Sequence, residues 1–159
     1  MLCFQLDGLE RERLKDILVG NCIVAYALHH EHSLTSAWQS RFVFEDGTVL
    51  EFSSAMTVVT GWHEIGNLNL KVTDTTNDLN GHVFREFSVE RFRIAAVECL
   101  VYEDPDVYSE CGIVFRDLSG SEWVIAAGIS PGAASIGTPF AGETFSPEFS
   151  VTDYRLAGI

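Results

Sequence analysis

"RFVFEDGTVLEF", residues 41–52, decides the fold. Phe42, Phe44 and Val49 fall at the every-second-residue spacing that lines one pleated face, allowing for a turn between them. Asp46-Gly47 stands at that turn, and both residue types tolerate positive φ, so the stretch predicts two antiparallel strands joined by a tight hairpin. "GIVFRDLSGSEWVIAAG", residues 112–128, has the same form with a longer glycine-containing loop. The runs "CIVAYAL" (22–28) and "IAAVECLVY" (94–102) are apolar and rich in β-branched and small residues. That composition is expected of strands covered on both faces.

Outward from these hairpins the chain repeats itself. "EFSVERFRI" (86–94) and "EFSVTDYRL" (148–156) share five of nine residues at an offset of 62. "IVAYALHHEH" from Ile23 meets "IAAVECLVYE" from Ile94 at an offset of 71. At that second offset "FVFEDG" (42–47) meets "IVFRD" (113–117) and "EIG" (64–66) meets "SIG" (135–137). The difference between the offsets places an insertion of nine residues in the first copy, near "KVTDTTNDLNGH" (71–82). Agreement in order at several places indicates a duplicated unit. Ahead of it, in "DGLERERLKDILVG" (7–20), Leu14, Ile17 and Leu18 share one helical face, with Asp7 as a cap and Gly20 as a stop. The expected fold is mainly β, α+β at the margin: one domain over 1–159, with a helix at 8–18 and antiparallel units at 22–93 and 94–156. A pseudo-twofold axis is expected to relate the units, and each "FSV" segment to form its unit's closing strand.

Composition narrows the function. A chain of 159 residues, 47% hydrophobic and 21% charged, is globular. No apolar run approaches the roughly 18–20 residues of a membrane helix. The N-terminus lacks the basic region of a secretory signal, so a cytoplasmic location is expected. Cys3, Cys22, Cys99 and Cys111 show no C-x-x-C spacing and are expected as free thiols rather than a zinc cluster. Ten Lys+Arg against 23 Asp+Glu leave a net charge of −13. Residues 94–159 hold ten of the acids and only two bases, Arg116 and Arg155. Such a field repels nucleic acid and anionic membranes and favours a basic protein partner.

Three stretches carry candidate chemistry. "ALHHEHS" (27–33) holds three of the five histidines. On a strand His30 and His32 would share a face, with His29 and Glu31 on the other. Two imidazoles are half a transition-metal site, so His30 and His32 are the candidate ligands, short of a third from His63, His82 or a carboxylate; no metal and no cofactor is expected. In "GWHEIG" (61–66) the second histidine of a zincin motif would fall at position 67, which is Asn67, and Trp62 is expected as a core or interface anchor. "YEDPDVYSE" (102–110) offers Glu103, Asp104, Asp106 and Glu110 without an intervening base, and its spacing is not that of an EF-hand loop. These four acids are the expected partner contacts.

Nucleophile elbow, phosphate loop, dinucleotide fingerprint and S-x-x-K motif are all missing from the sequence, so no catalytic residue is assigned. In size, charge and lack of catalytic motifs the chain resembles the small acidic proteins by which bacteria neutralise polymorphic toxins. That resemblance implies a non-enzymatic, immunity-type inhibitor of a cationic toxin. The competing expectations are a β-rich small-molecule or metal-dependent enzyme with its pocket near His29–His32, and a structural subunit that oligomerises through its repeats.

Overall fold

The computed structural model describes residues 1–59, 64–73 and 84–159. Trp62, His63, His82 and most of the stretch 71–82, where an insertion is expected, lie outside the described residues.

The chain is mainly β, and its described residues form two sheets and one short α-helix. Its elements are β1 (Gln5–Asp7), α1 (Leu14–Leu18), β2 (Cys22–His29), β3 (Ser40–Phe44), β4 (Val49–Val58), β5 (Glu64–Thr73), β6 (Phe84–Arg93), β7 (Ala96–Glu103), β8 (Tyr108–Arg116), β9 (Glu122–Ala127), β10 (Ala134–Gly137) and β11 (Tyr154–Ala157). The first sheet runs β1-β5-β4-β3-β2-β6 and the second β10-β9-β8-β7-β11. Apart from β1, the same strand order occurs twice: a four-stranded meander whose first strand also pairs with a returning fifth. Between the described strands every pairing is antiparallel except that of β1, which lies parallel to β5.

Local chemistry accounts for both hairpins. At the first, Gly47 takes φ +91° and Phe44 N–H donates to Thr48 O at 2.9 Å. Asp46 Oδ1 accepts Thr48 N–H, also at 2.9 Å, so its side chain braces the turn it helps to form. At the second, Asp117 Oδ1 accepts the N–H groups of Ser119 and Ser121, and Gly120 supplies the positive φ.

The sheets meet inner face to inner face. Phe42, Phe44 and Phe52 of the first join Phe115 and Trp123 of the second, all 1% exposed or less. The Phe42 and Trp123 rings meet edge-on at 5.2 Å, an arrangement their quadrupoles favour. Leu14 and Leu18 plug α1 into the same core. The outer face of the first sheet is polar instead. Cross-strand register places Glu86, Ala27, Arg41, Glu51, Lys71 and Asp7 in one row, with Arg41 Nε donating to Glu51 at 3.2 Å. Opposite charges on neighbouring strands stabilise such a row. β6 is the longest edge strand, and Arg85, Arg91 and Arg93 together with a register break between Ser88 and Phe92 guard it against pairing with another chain.

Three expectations need correction. The helix is shorter than 8–18: Gln5–Asp7 are captured by β5, Gly8 turns the chain at φ +71°, Arg11–Arg13 form a 3-10 turn, and only Leu14–Leu18 are α-helical. Asp7 therefore ends a strand and caps nothing, whereas Gly20 does end the helix, at φ +88°. The two "FSV" segments are not equivalent. Residues 87–89 lie within β6, but Phe149 and Ser150 are irregular and Val151 opens a 3-10 turn before β11. The Phe149 ring stacks on Tyr102 at 3.8 Å and its N–H donates to Tyr154 Oη at 3.0 Å, which folds the segment back instead of extending it. The register of the first strands also differs from the sequence alignment. Phe44 and Phe115 are matched in sequence, but Ile23 lies across from Phe44 while Val97, not Ile94, lies across from Phe115.

Candidate functional site

The acidic run "YEDPDVYSE" divides between two environments. Glu103, Asp104 and Asp106 lie at the four-residue turn from β7 to β8, where the hairpin ends. Asp104 Oδ1 accepts the N–H groups of Asp106 at 2.7 Å and Val107 at 3.0 Å, so the carboxylate shapes the turn that carries it. Its other oxygen faces the Tyr102 hydroxyl at 3.4 Å. Burial, and then the Asp104 charge, push the Tyr102 phenol above its ordinary value. Glu103 is paired with Arg155 at 2.5 Å, an exposed pair that contributes little to stability. Asp106 is exposed. With Arg155 counted, the tip keeps an excess of negative charge on a backbone that its own side chains hold in place.

Glu110 is no part of this surface, which corrects its expected role as a partner contact. It is 2% exposed, receives Arg11 Nη1 and Nη2 at 2.7 and 2.5 Å, and accepts Phe4 N–H at 2.8 Å. Burial alone would push the Glu110 carboxyl up; Arg11, the Phe4 N–H and the Cys99 thiol outweigh it and hold the group below the ordinary glutamate value. Only burial distinguishes it from Asp106, and burial depends on Phe4 and Arg11, which are 106 and 99 residues away in the chain.

The histidines lie at the end of β2, and the chain turns there: His32 N–H donates to His29 O at 2.9 Å. The turn defeats strand alternation. His29 and His32, rather than His30 and His32, come together, with ring centroids 4.9 Å apart. His32 continues to Trp38 at 5.4 Å and His29 to Phe84 at 6.3 Å. The rings wall a concavity of about 700 Å³ whose lining is His29, Glu31, His32, Trp38, Gln39 and Ser53. Trp38, Gln39 and Ser53 escaped the sequence reading. The signal available for Trp38 and Gln39 was a lone tryptophan in the polar stretch "SLTSAWQS" (33–40).

Among the described residues no group of three or more His, Cys, Asp and Glu side chains is placed to hold a metal ion. A histidine that ligates a metal through one nitrogen usually donates from the other. Nδ1 of His29 and Nδ1 of His32 are both buried without a partner. All four cysteines are free thiols; Cys3 is exposed and the others are buried. Burial pushes the Cys22 and Cys99 thiols up and Cys111 to about 11, so these three stay protonated at neutral pH. Among the described residues no helix is long and apolar enough to cross a membrane.

Fold and surface together define a two-sheet antiparallel β protein with one projecting acidic turn and one aromatic, polar cup. Set against protein-family models, curated proteins and solved structures, the chain finds no match.

Proposed function

We propose that the chain is a non-enzymatic, cytoplasmic binding protein that captures a basic protein partner at the β7–β8 turn, in the manner of an immunity-type inhibitor of a bacterial toxin. One observation carries the reading: Glu103 and Asp106 are exposed at a turn whose backbone the half-buried Asp104 carboxylate braces. Pre-organised charge costs little ordering on binding, and a field of net −13 speeds encounter with a cation.

The test has two stages. The chain is co-expressed with the products of its neighbouring reading frames, and any co-purifying basic protein is taken into association kinetics at about 50 and 500 mM salt. The variant is Glu103→Gln/Asp104→Asn/Asp106→Asn, which removes charge yet leaves an oxygen at position 104 to hold the turn. Association several-fold slower than wild type at low salt, converging at high salt, is expected. Equal rates at both salts would reduce the tip to a solvated turn and remove the basis for an inhibitor.

A further inference from the structure

We propose that the cup walled by His29, Glu31, His32, Trp38, Gln39 and Ser53 binds a neutral saccharide, a function separate from capture of a basic protein at the acidic turn. Four observations converge on that ligand class.

The first is the platform. Trp38 is 65% exposed although it borders a concavity of about 700 Å³, a volume within the range of small-molecule sites. An indole left open to solvent offers a flat, electron-rich face, which attracts the polarised C–H groups on one side of a sugar ring.

Next come the donors. Each imidazole buries an Nδ1 that has no partner. An unmet N–H is costlier to bury than an unmet lone pair, so burial of Nδ1 favours the tautomer with its N–H on Nε2. His29 and His32, with ring centroids 4.9 Å apart and planes tilted by 37°, then each have an Nε2–H to offer.

The acceptors and mixed groups complete the wall. Glu31 contributes two carboxylate oxygens, and Gln39 an amide that both donates and accepts. Ser53 Oγ is approached by Asn69 Nδ2 at 3.5 Å, which leaves its O–H free to donate. A vicinal pair of sugar hydroxyls, each a donor and an acceptor, matches such a mixed lining.

Charge selects among polar ligands. Among the described residues of the lining only Glu31 is formally charged, and Arg85 Nη2 donates beside it to the His32 carbonyl at 3.2 Å. An anion would meet Glu31 in a chain of net −13, and a cation would face the N–H edges of two imidazoles beside Arg85. Glu31 opposes an anion and Arg85 opposes a cation, whereas a neutral polyol satisfies donors and acceptors without importing a charge.

The experiment follows the Trp38 indole N–H resonance, assigned with Trp38→Phe, while defined probes are titrated into the full chain. Neutral probes are maltotriose, cellotriose, xylotriose, mannotriose and N-acetylated chitotriose. The charged counterparts are trigalacturonate and the de-acetylated chitosan trimer. At least one neutral trisaccharide should shift the resonance saturably and bind roughly tenfold more tightly than either charged trimer. Trp38→Ala and His32→Ala, checked for unchanged thermal unfolding, should each weaken that binding by about tenfold or more, while His32→Gln, which keeps a donor, should retain more of it. Three results would overturn the assignment: no neutral probe shifting the signal, a charged trimer binding as well as its neutral counterpart, or binding that survives Trp38→Ala. Because the acidic turn is untouched by these variants, protein capture at Glu103–Asp106 stands or falls separately.

Discussion

β2 and β7 hold the same place in their sheets, each between a hairpin partner and a returning fifth strand, yet they end in opposite surfaces. Beyond β7 only residues 104–107 intervene before β8, and Asp104 cinches them into a tight turn that leaves Glu103 and Asp106 exposed. Beyond β2 the connection is 30–39, long enough to reach the edge of the other sheet, where Ala37 exchanges backbone hydrogen bonds with Ala134 at 2.8–2.9 Å. A loop anchored at both ends and tied down in its middle encloses space, and His32 and Trp38 fold over that space. A short turn makes a projection and a long anchored loop makes a cup. Loop length and the ties of Leu34 and Ala37 to β10, acting on a common strand order, account for the contrast.

The contrast can be broken at the acid run itself. The largest effect is expected at Arg11→Ala, because it strands the Glu110 carboxylate in the core; with Arg11 about a third exposed, the cost should fall near the lower end for a buried pair, about 3 kcal/mol by urea denaturation. A loss under about 0.5 kcal/mol would mean that Glu110 is as solvated as the tip. Acid should act in the same direction. The Glu110 carboxyl is held below its ordinary value in the folded state, so its stabilisation is complete above the unfolded-state value, about 4.3, and disappears as the pH falls through the lower folded one. The stability gap between the native chain and Glu110→Gln should accordingly close below pH 4, which a denaturation series across pH 2–6 would reveal.

Next in size is Asp104. Asp104→Ala removes the acceptor for two backbone N–H groups and should cost about 1 kcal/mol, whereas Asp104→Asn, which keeps an oxygen, should cost about half that or less. Equal losses would show that charge, not turn chemistry, holds the tip. The smallest effects belong to the groups proposed to bind. Glu103→Gln and Asp106→Asn at the tip, and Trp38→Ala at the cup, should each leave the unfolding free energy within about 0.5 kcal/mol of native, since each side chain is exposed. A substantial loss at Trp38 would recast the indole as a structural lid and make the cup a packing feature.

What was legible before the structure was largely local. Phe42, Phe44 and the Asp46-Gly47 turn announced a hairpin because strand period and turn chemistry act over a handful of residues. Gly20 announced a helix end for the same reason. The duplicated motif was a weaker guide. Strand order does recur, but the second "FSV" leaves its strand because Phe149 finds Tyr102, a contact between residues 47 apart that no local pattern encodes.

By itself the sequence determined that this protein is β-rich, that its hairpins turn at Asp46-Gly47 and near Gly120, and that its surface is strongly acidic. Each is a sum or a short-range pattern, insensitive to how distant segments meet. Tertiary structure alone decided which acid of "YEDPDVYSE" is buried, which two of three histidines face each other, and that Trp38 stands open beside them. Those outcomes depend on Phe4 and Arg11 reaching Glu110 across about a hundred residues and on Ala37 crossing to Ala134. Solvation energy is set by neighbours in space, so identical carboxylates and imidazoles acquire different chemistry only once the chain has brought those neighbours together.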